Sequence, residues 1–385
     1  MDEVKQQISD YIDSNKGEFI EFWRELVDYQ AGSYEESKIT ALLQETKKHL
    51  EKENFLCHLV PTGKAPVLVA IDGPERSGKP IMLSGHLDTV FPAGTFPDSA
   101  FHMDGNNVSG PGVVDMKGGI AMMLYMVKAL REIGYDRHPI KIVLCGDEEN
   151  THLGSNVPEI LQQEAKTSLL AFNMETGRMD NCLSVARKGA MDCHITVHGK
   201  GAHAGNFYYE GRNAIMEMAL KIPALENISC RESGITVNVG VISGGTVANA
   251  VPDLCKVQVD CRFTKAAQVE EIQEAIKKVC GKTTIKGTTT ELEFVPPMPV
   301  FEEKQENLEL LAQINKHAKE YGFAPFGAVR PGGSSDVSYI AMAGIPAICS
   351  CGAVGEEAHT MKEHGYVAPT LERMKILAAT IADID

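Results

Sequence analysis

The stretch Pro80-Ile-Met-Leu-Ser-Gly-His-Leu-Asp-Thr-Val90 is a short continuous apolar run that ends in polar residues. Two further stretches have the same form: Lys141-Ile-Val-Leu-Cys-Gly-Asp-Glu-Glu149 and Ser168-Leu-Leu-Ala-Phe-Asn-Met-Glu175. A strand that is apolar throughout, rather than at alternate positions, is one covered on both faces, as in a parallel sheet flanked by helices. Between the first two runs, Gly118–Ile133 is rich in Ala, Met and Leu at helical spacing and is closed by Gly134. Strands alternating with helices predict an open, largely parallel α/β sheet. Ligands of such sheets collect beyond the carboxyl ends of the strands. His86, Glu148, Glu149 and Glu175 all fall there.

Working outward, Val4, Ile8, Ile12, Phe19, Phe22, Trp23 and Leu26 recur at helical spacing. Ile39, Leu42, Leu43 and Leu50 do so again after the Gly-Ser break at 32–33, so residues 1–53 read as two helices. Strand-like segments follow at Phe55–Val60 and Pro66–Ile71. Beyond residue 180 the texture changes. Asp192–Val197, Gly234–Val241 and Leu254–Phe263 alternate like half-buried strands, with helical patterns at Asn213–Leu225 and Gln268–Val279 and a last strand at Glu291–Val295. The first texture then returns: an amphipathic helix at Leu308–Tyr321, a buried strand at Ile345–Ser350 and a final helix at Leu371–Ile384. The expected organisation is a first domain made of residues 1–183 and 297–385, interrupted by a smaller α+β domain over 184–296.

Composition bounds what such a chain does. It has 385 residues, 43% of them hydrophobic, which is enough for two domains with real cores. No apolar stretch approaches the length of a membrane span, and the acidic opening Met-Asp-Glu-Val-Lys differs from the basic, apolar start of a signal peptide. A cytoplasmic protein is the expectation. The 37 Lys and Arg against 52 Asp and Glu leave a net charge of −15, which disfavours nucleic acid and anionic membrane as partners. The ten cysteines are scattered through apolar runs with no CxxC pair, as buried thiols in a reducing compartment would be.

Five short segments carry residues suited to chemistry. His86-Leu-Asp88 ends a strand; an imidazole on a metal needs a carboxylate to fix its tautomer, and Asp88 is placed to do so, although for the motif alone a local hydrogen bond is the plainer reading. Gly110-Pro-Gly-Val-Val-Asp115-Met-Lys-Gly-Gly119 surrounds Asp115 with residues that let a ligand approach, and a helix N-cap is the plainer reading. In Asp147-Glu148-Glu149, neighbouring side chains on extended backbone point to opposite sides. One Glu can therefore act as base and the other as ligand, unless the triplet is a solvated turn. Glu175-Thr-Gly177 and Glu357-Ala-His359-Thr360 add a carboxylate and an imidazole, each also compatible with an ordinary turn. Together the segments offer mixed imidazole and carboxylate donors at one edge of one sheet, a set that suits Zn²⁺, Co²⁺ or Mn²⁺. Two such ions would neutralise carboxylates that otherwise repel one another.

In order and spacing these motifs resemble the M20 family of metallopeptidases and amidohydrolases, most closely its glutamate carboxypeptidase branch. The likeness runs from Ser84-Gly-His-Leu-Asp-Thr through the Asp115 and Asp147-Glu-Glu segments to His359, and includes Lys200-Gly-Ala-His-Ala-Gly205 in the inserted domain. It implies a zinc-peptidase-like catalytic domain interrupted by a ferredoxin-like lid that dimerises. It further implies two divalent ions, Zn²⁺ first with Co²⁺ or Mn²⁺ as alternatives. Asp115 would bridge the ions, His86 and Glu175 would complete one site, and Glu149 and His359 the other. Asp88 would orient His86, and Glu148 would be the general base acting on a metal-bridging water. His203 would reach the partner subunit's active site and steady the oxyanion, while Asn249, Arg262 and Arg330 would hold the substrate. The activity implied is cleavage of an amide or peptide bond next to a free carboxylate, carboxypeptidase- or dipeptidase-like, on a small peptide or N-acyl amino acid. N-acyl amino-acid deacylation, of acetylornithine or succinyl-diaminopimelate type, shares the same metal site. A catalytically silent scaffold would have lost ligands, and here all are present. One departure bears on specificity: Val295-Pro-Pro-Met-Pro-Val300 carries no Arg where glutamate-preferring members use one, and Arg187-Lys188 is the nearest basic pair.

Overall fold

Ile81–His86 is buried at every residue and runs through the middle of a six-stranded sheet. Parallel neighbours flank it, Ile140–Cys145 on one side and Leu170–Asn173 on the other, and Ala347–Ile348 adds a fourth parallel strand beyond Leu170–Asn173. The opposite edge is an antiparallel hairpin, Leu56–Val60 with Val67–Asp72, joined antiparallel to Ile140–Cys145. The sheet is thus mostly parallel, as its continuous apolar runs imply. The computed structural model describes residues 3–385.

The chain divides into two units, one of residues 1–186, 303–330 and 335–385, the other of residues 187–302 and 331–334. In the first, helices cover the sheet because their apolar stripes need a partner surface. Gly118–Glu132 is buried almost all round, packed against Glu3–Ser14, Lys16–Asp28 and Val367–Ala382. The amino-terminal segment forms three helices rather than the expected two: Glu3–Ser14, Lys16–Asp28 and Glu36–Lys52. The additional break falls at Asn15, whose side-chain amide donates to the Tyr11 carbonyl beside the backbone bond that carbonyl already accepts. Trp23 is fully buried and its indole N–H donates to the Val113 carbonyl at 2.8 Å, tying a covering helix to the loop that carries Asp115. A small second sheet, Gly355–Glu356, His364–Tyr366, Asn107–Ser109 and His102–Asp104, joins the segments on either side of His359 to the segment before Asp115.

The second unit is an antiparallel sheet in the order Thr236–Gly244, Leu254–Phe263, Gly189–His198, Thr289–Phe294. Strict alternation along Gly189–His198 and Leu254–Phe263 buries Met191, Cys193, Ile195, Val197, Val257, Val259 and Phe263 on one face. Met218 and Leu225 of the helix Ala214–Glu226, with Ile272 and Ile276 of the helix Gln268–Cys280, close that core. Bridges Arg187↔Phe301 and Ala190↔Met298 keep residues 297–302 in this unit, six residues past the expected boundary at 296. Backbone pairing decides that boundary, and it leaves no hydropathy signal. No helix among the described residues is long and apolar enough to cross a membrane.

Candidate metal centre

All five residues expected as metal ligands lie in the first unit. His86 closes the central strand, 1% exposed, and Asp88 follows it, fully buried. The imidazole Nδ1 lies 3.1 Å from the Asp88 carbonyl and 3.3 Å from Asp88 Oδ1. Its Nε2 points the other way, 3.3 Å from Asp115 Oδ1 and 3.9 Å from Glu175 Oε2. Asp88 has a second task. Its carboxylate accepts the backbone N–H of Glu148 at 3.3 Å and of Glu149 at 3.1 Å, and the Ser33 hydroxyl at 2.6 Å. Burial pushes this carboxyl up, but the hydrogen bond and charge of His86, with Ser33, hold it below its ordinary value.

Asp115 stands between two histidines. Oδ1 faces His86, and Oδ2 lies 3.1 Å from His359 Nε2. The same His359 nitrogen lies 3.0 Å from Glu149 Oε1. Burial works against the Asp115 carboxylate, yet His359 and His86 hold its carboxyl well below the usual range. Asp115, with Glu149, pushes the His359 imidazole up to about 11. The loop carrying Asp115 is clamped from below by a residue that sequence reasoning missed. Glu363 accepts the backbone N–H groups of Gly112 at 2.9 Å, Val114 at 2.9 Å and Asp115 at 3.0 Å. It lies four residues after His359, so one buried carboxylate fastens the Asp115 loop to the His359 segment. The glycines after Asp115 serve close packing: a Cβ on Gly119 would sit 2.0 Å from the Met174 carbonyl, next to Glu175.

Two observations test whether these residues fit divalent ions. The donor set is two imidazoles and three carboxylates, converging from five separate segments, the mixture that Zn²⁺, Co²⁺ and Mn²⁺ accept. Glu149 Oε1 is buried with no hydrogen-bond partner although His359 Nε2 is close. An acceptor left so is costly, and a cation is the partner its position suits. Glu148, half-buried beside Glu149, is placed differently. Burial pushes its carboxyl well above the ordinary value; His86 opposes this, while Glu175, Asp336 and Glu149 add to it.

The remaining expected residues are distributed between the units. Arg330, in the first, is ion-paired with Glu303. His203, Asn249 and Arg262 belong to the second. Arg262 is held by Asp260 through Nε at 2.9 and 3.0 Å and Nη2 at 2.7 Å. His203 Nδ1 accepts the N–H groups of Gly205 and Asn206, both at 3.2 Å, which leaves Nε2 to carry the ring proton.

Comparison with known proteins agrees with this chemistry. The model of the peptidase dimerisation domain of M20 enzymes matches residues 185–288, and that of peptidase family M28 matches residues 67–199. Carboxypeptidase G2 of Pseudomonas sp. (strain RS-16) is 27% identical over 312 residues, covering 80% of this chain and 75% of its own. The succinyl-diaminopimelate desuccinylase of Ehrlichia ruminantium (strain Welgevonden) is 24% identical over 341 residues, covering 82% and 85%. In fold, the chain matches an M20 family metallo-carboxypeptidase of Sulfolobus solfataricus with a TM-score of 0.77 at 16% identity, over 95% of this chain and 98% of that one. Fold and donor cluster define a hydrolytic metalloenzyme. The chain is similar to the M20 family of metallopeptidases in its dimerisation-domain match, its relatives and its fold.

Proposed function

We propose that the protein is a two-metal hydrolase cleaving an amide or peptide bond beside a free carboxylate, with carboxypeptidase or dipeptidase activity on small peptides. The observation that carries this is Asp115, whose two carboxylate oxygens each face a different imidazole at 3.3 and 3.1 Å. One carboxylate shared in this way suits a bridging ligand, with His86 and Glu175 on one side and Glu149 and His359 on the other. When bound, the ions, Zn²⁺ first and Co²⁺ or Mn²⁺ otherwise, polarise the substrate carbonyl and acidify the attacking water.

The chain's own groups do the rest. Asp88 orients His86 and pins the turn that bears Glu148. Glu148 accepts the proton of the attacking water and delivers it to the departing amine. His203 donates through Nε2 to the developing oxyanion, a contact typically contributing about 3–4 kcal/mol. Arg330, Arg262 and Asn249 hold the substrate's carboxylate and carbonyl, a task for which guanidinium geometry is suited. The match to a dimerisation domain supports a homodimer formed through the second unit.

N-acyl amino-acid deacylation is the second reading, favoured by the similarity to a succinyl-diaminopimelate desuccinylase. A panel of dipeptides, N-acyl glutamates and N-acetylated amino acids, assayed after chelation and metal add-back, separates the two. Turnover of peptides with a free C-terminal carboxylate is expected. Turnover of the acetylated or succinylated series alone would transfer the assignment to deacylation, and full activity after chelation would end both readings.

A further inference from the structure

Beside the metal centre, in the same unit, a second group of titratable side chains is buried: Cys145, Asp147, His152 and Asp336, none more than 4% exposed. His152 Nδ1 lies 2.7 Å from Asp147 Oδ1, and Nε2 lies 2.6 Å from Asp336 Oδ1. A ring with a carboxylate acceptor at each nitrogen carries a proton on both. The outer oxygens are satisfied as well: the Ser155 hydroxyl donates to Asp147 Oδ2 at 2.5 Å, and the Cys145 thiol donates to Asp336 Oδ2 at 3.2 Å. Tyr339 packs its ring edge-on against the imidazole at 5.6 Å. Burial opposes the charge on His152, but Asp336 and Asp147 outweigh it and push the group up to about 11. With both nitrogens committed to carboxylates, the ring has no lone pair for a metal.

The position of this clamp in the chain gives it a consequence. Asp147 immediately precedes Glu148 and Glu149, and His152 follows them by three residues, so the ion pair closes the turn that bears both. The His152 N–H also donates to the Asp147 carbonyl at 2.9 Å. Thr151 and His152 both have φ of 57°, the left-handed region that a branched or bulky residue enters only when its surroundings hold it there. The near side of the turn is pinned by Asp88, and Asn150 is held by the Ser33 carbonyl at 3.0 Å. Beyond Asn150, the turn is anchored by Ser155 on Asp147 and by His152, gripped by Asp336 from the start of the helix Val337–Ala341.

We propose that His152, clamped between Asp147 and Asp336, is a positioning residue for hydrolysis, fixing the turn that presents Glu148 to substrate and Glu149 to metal. This rests on the roles proposed above for those two glutamates. The test uses the full-length chain and His152→Ala, His152→Gln and Asp336→Asn. Two slowly exchanging, downfield imidazole N–H proton resonances are expected in the wild-type chain with or without metal, and they should vanish in His152→Ala. In metal-loaded enzyme, His152→Ala should lower kcat about tenfold or more, with KM within about twofold and metal content unchanged. The Co²⁺-substituted absorption spectrum should shift as Glu149 moves. His152→Gln, which retains one donor, and Asp336→Asn, which retains an acceptor, should fall between Ala and wild type and guard against a variant that fails to fold.

The proposal is overturned if kcat stays within about twofold of wild type once the resonances are lost, or if its fall merely tracks lost metal or a lowered melting midpoint. A third stoichiometric metal that disappears with His152 would also overturn it, since the cluster would then be a metal site. Wild-type chain that binds no metal and hydrolyses nothing would sink the hydrolase reading and the catalytic consequence together. The N–H resonances would then decide the clamp by themselves.

Discussion

At the scale of single residues, the centre depends on carboxylates with different duties. Glu148 and Glu149 are neighbours in sequence, yet only Glu149 lies within 3.0 Å of a histidine nitrogen, in keeping with the proposed division into base and ligand. Glu148→Gln should therefore lower kcat by about 10²- to 10⁴-fold while elemental analysis still finds the wild-type metal content. Equal loss of metal and activity would instead make Glu148 a ligand. Glu363 tests the support beneath Asp115. Glu363→Ala strands three N–H groups now paired at 2.9–3.0 Å. Metal affinity, measured by competition with a chelator, is expected to weaken about 10- to 100-fold. Glu363→Gln, which keeps one carbonyl oxygen, should lie between. His86, Glu148, Glu149 and Glu175 were legible because each ends an apolar run. Glu363, Ser33 and Asp336 were not, because a side chain that caps a backbone from elsewhere leaves no periodicity behind.

At the scale of elements, short anchors set the loops around the sheet. Glu35, just before the helix Glu36–Lys52, accepts the N–H of Gly32 at 3.0 Å and of Ala93 at 2.6 Å, and pairs with Lys38 at 2.7 Å. The hydrogen bond from Lys38, then that from Ala93, lowers its carboxyl to about 2. A carboxyl depressed in the folded chain stabilises it above the ordinary Glu range and loses that contribution as the pH falls toward about 2. The gap in melting midpoint between wild type and Glu35→Gln should be full near neutrality and shrink below about pH 4.5. A constant gap from neutrality to pH 3 would show that the ion pair and N–H contacts do not act through ionisation. Periodicity read the long helices and the buried strands, where burial repeats at a fixed step. It passed over the break at Asn15 and the small sheet built from His102–Asp104, Asn107–Ser109, Gly355–Glu356 and His364–Tyr366, whose strands have two or three residues each.

At the scale of the whole molecule, the proposed placement of His203 predicts that activity is shared between chains. An inactive His203→Ala chain mixed with an inactive Glu148→Ala chain should recover measurable turnover through hybrid dimers, up to about a quarter of wild type if one of the two mixed sites is intact. No recovery, with dimers confirmed by ultracentrifugation, would confine His203 to its own subunit. The amino-acid order alone determined the class of fold and pointed to most of the proposed donors, since strands buried on both faces must be apolar throughout and polar ligands can enter only at their ends. It also determined the α+β character of residues 184–296, through strict alternation. Tertiary structure decided which donors meet. Asp115 lies between His86 and His359 only because three loops close over one sheet edge, and contacts between residues so far apart in the chain have no local signature. Backbone pairing likewise moved the second boundary to Glu302, and packing placed His152 between two aspartates, where burial strengthens the ion pairs.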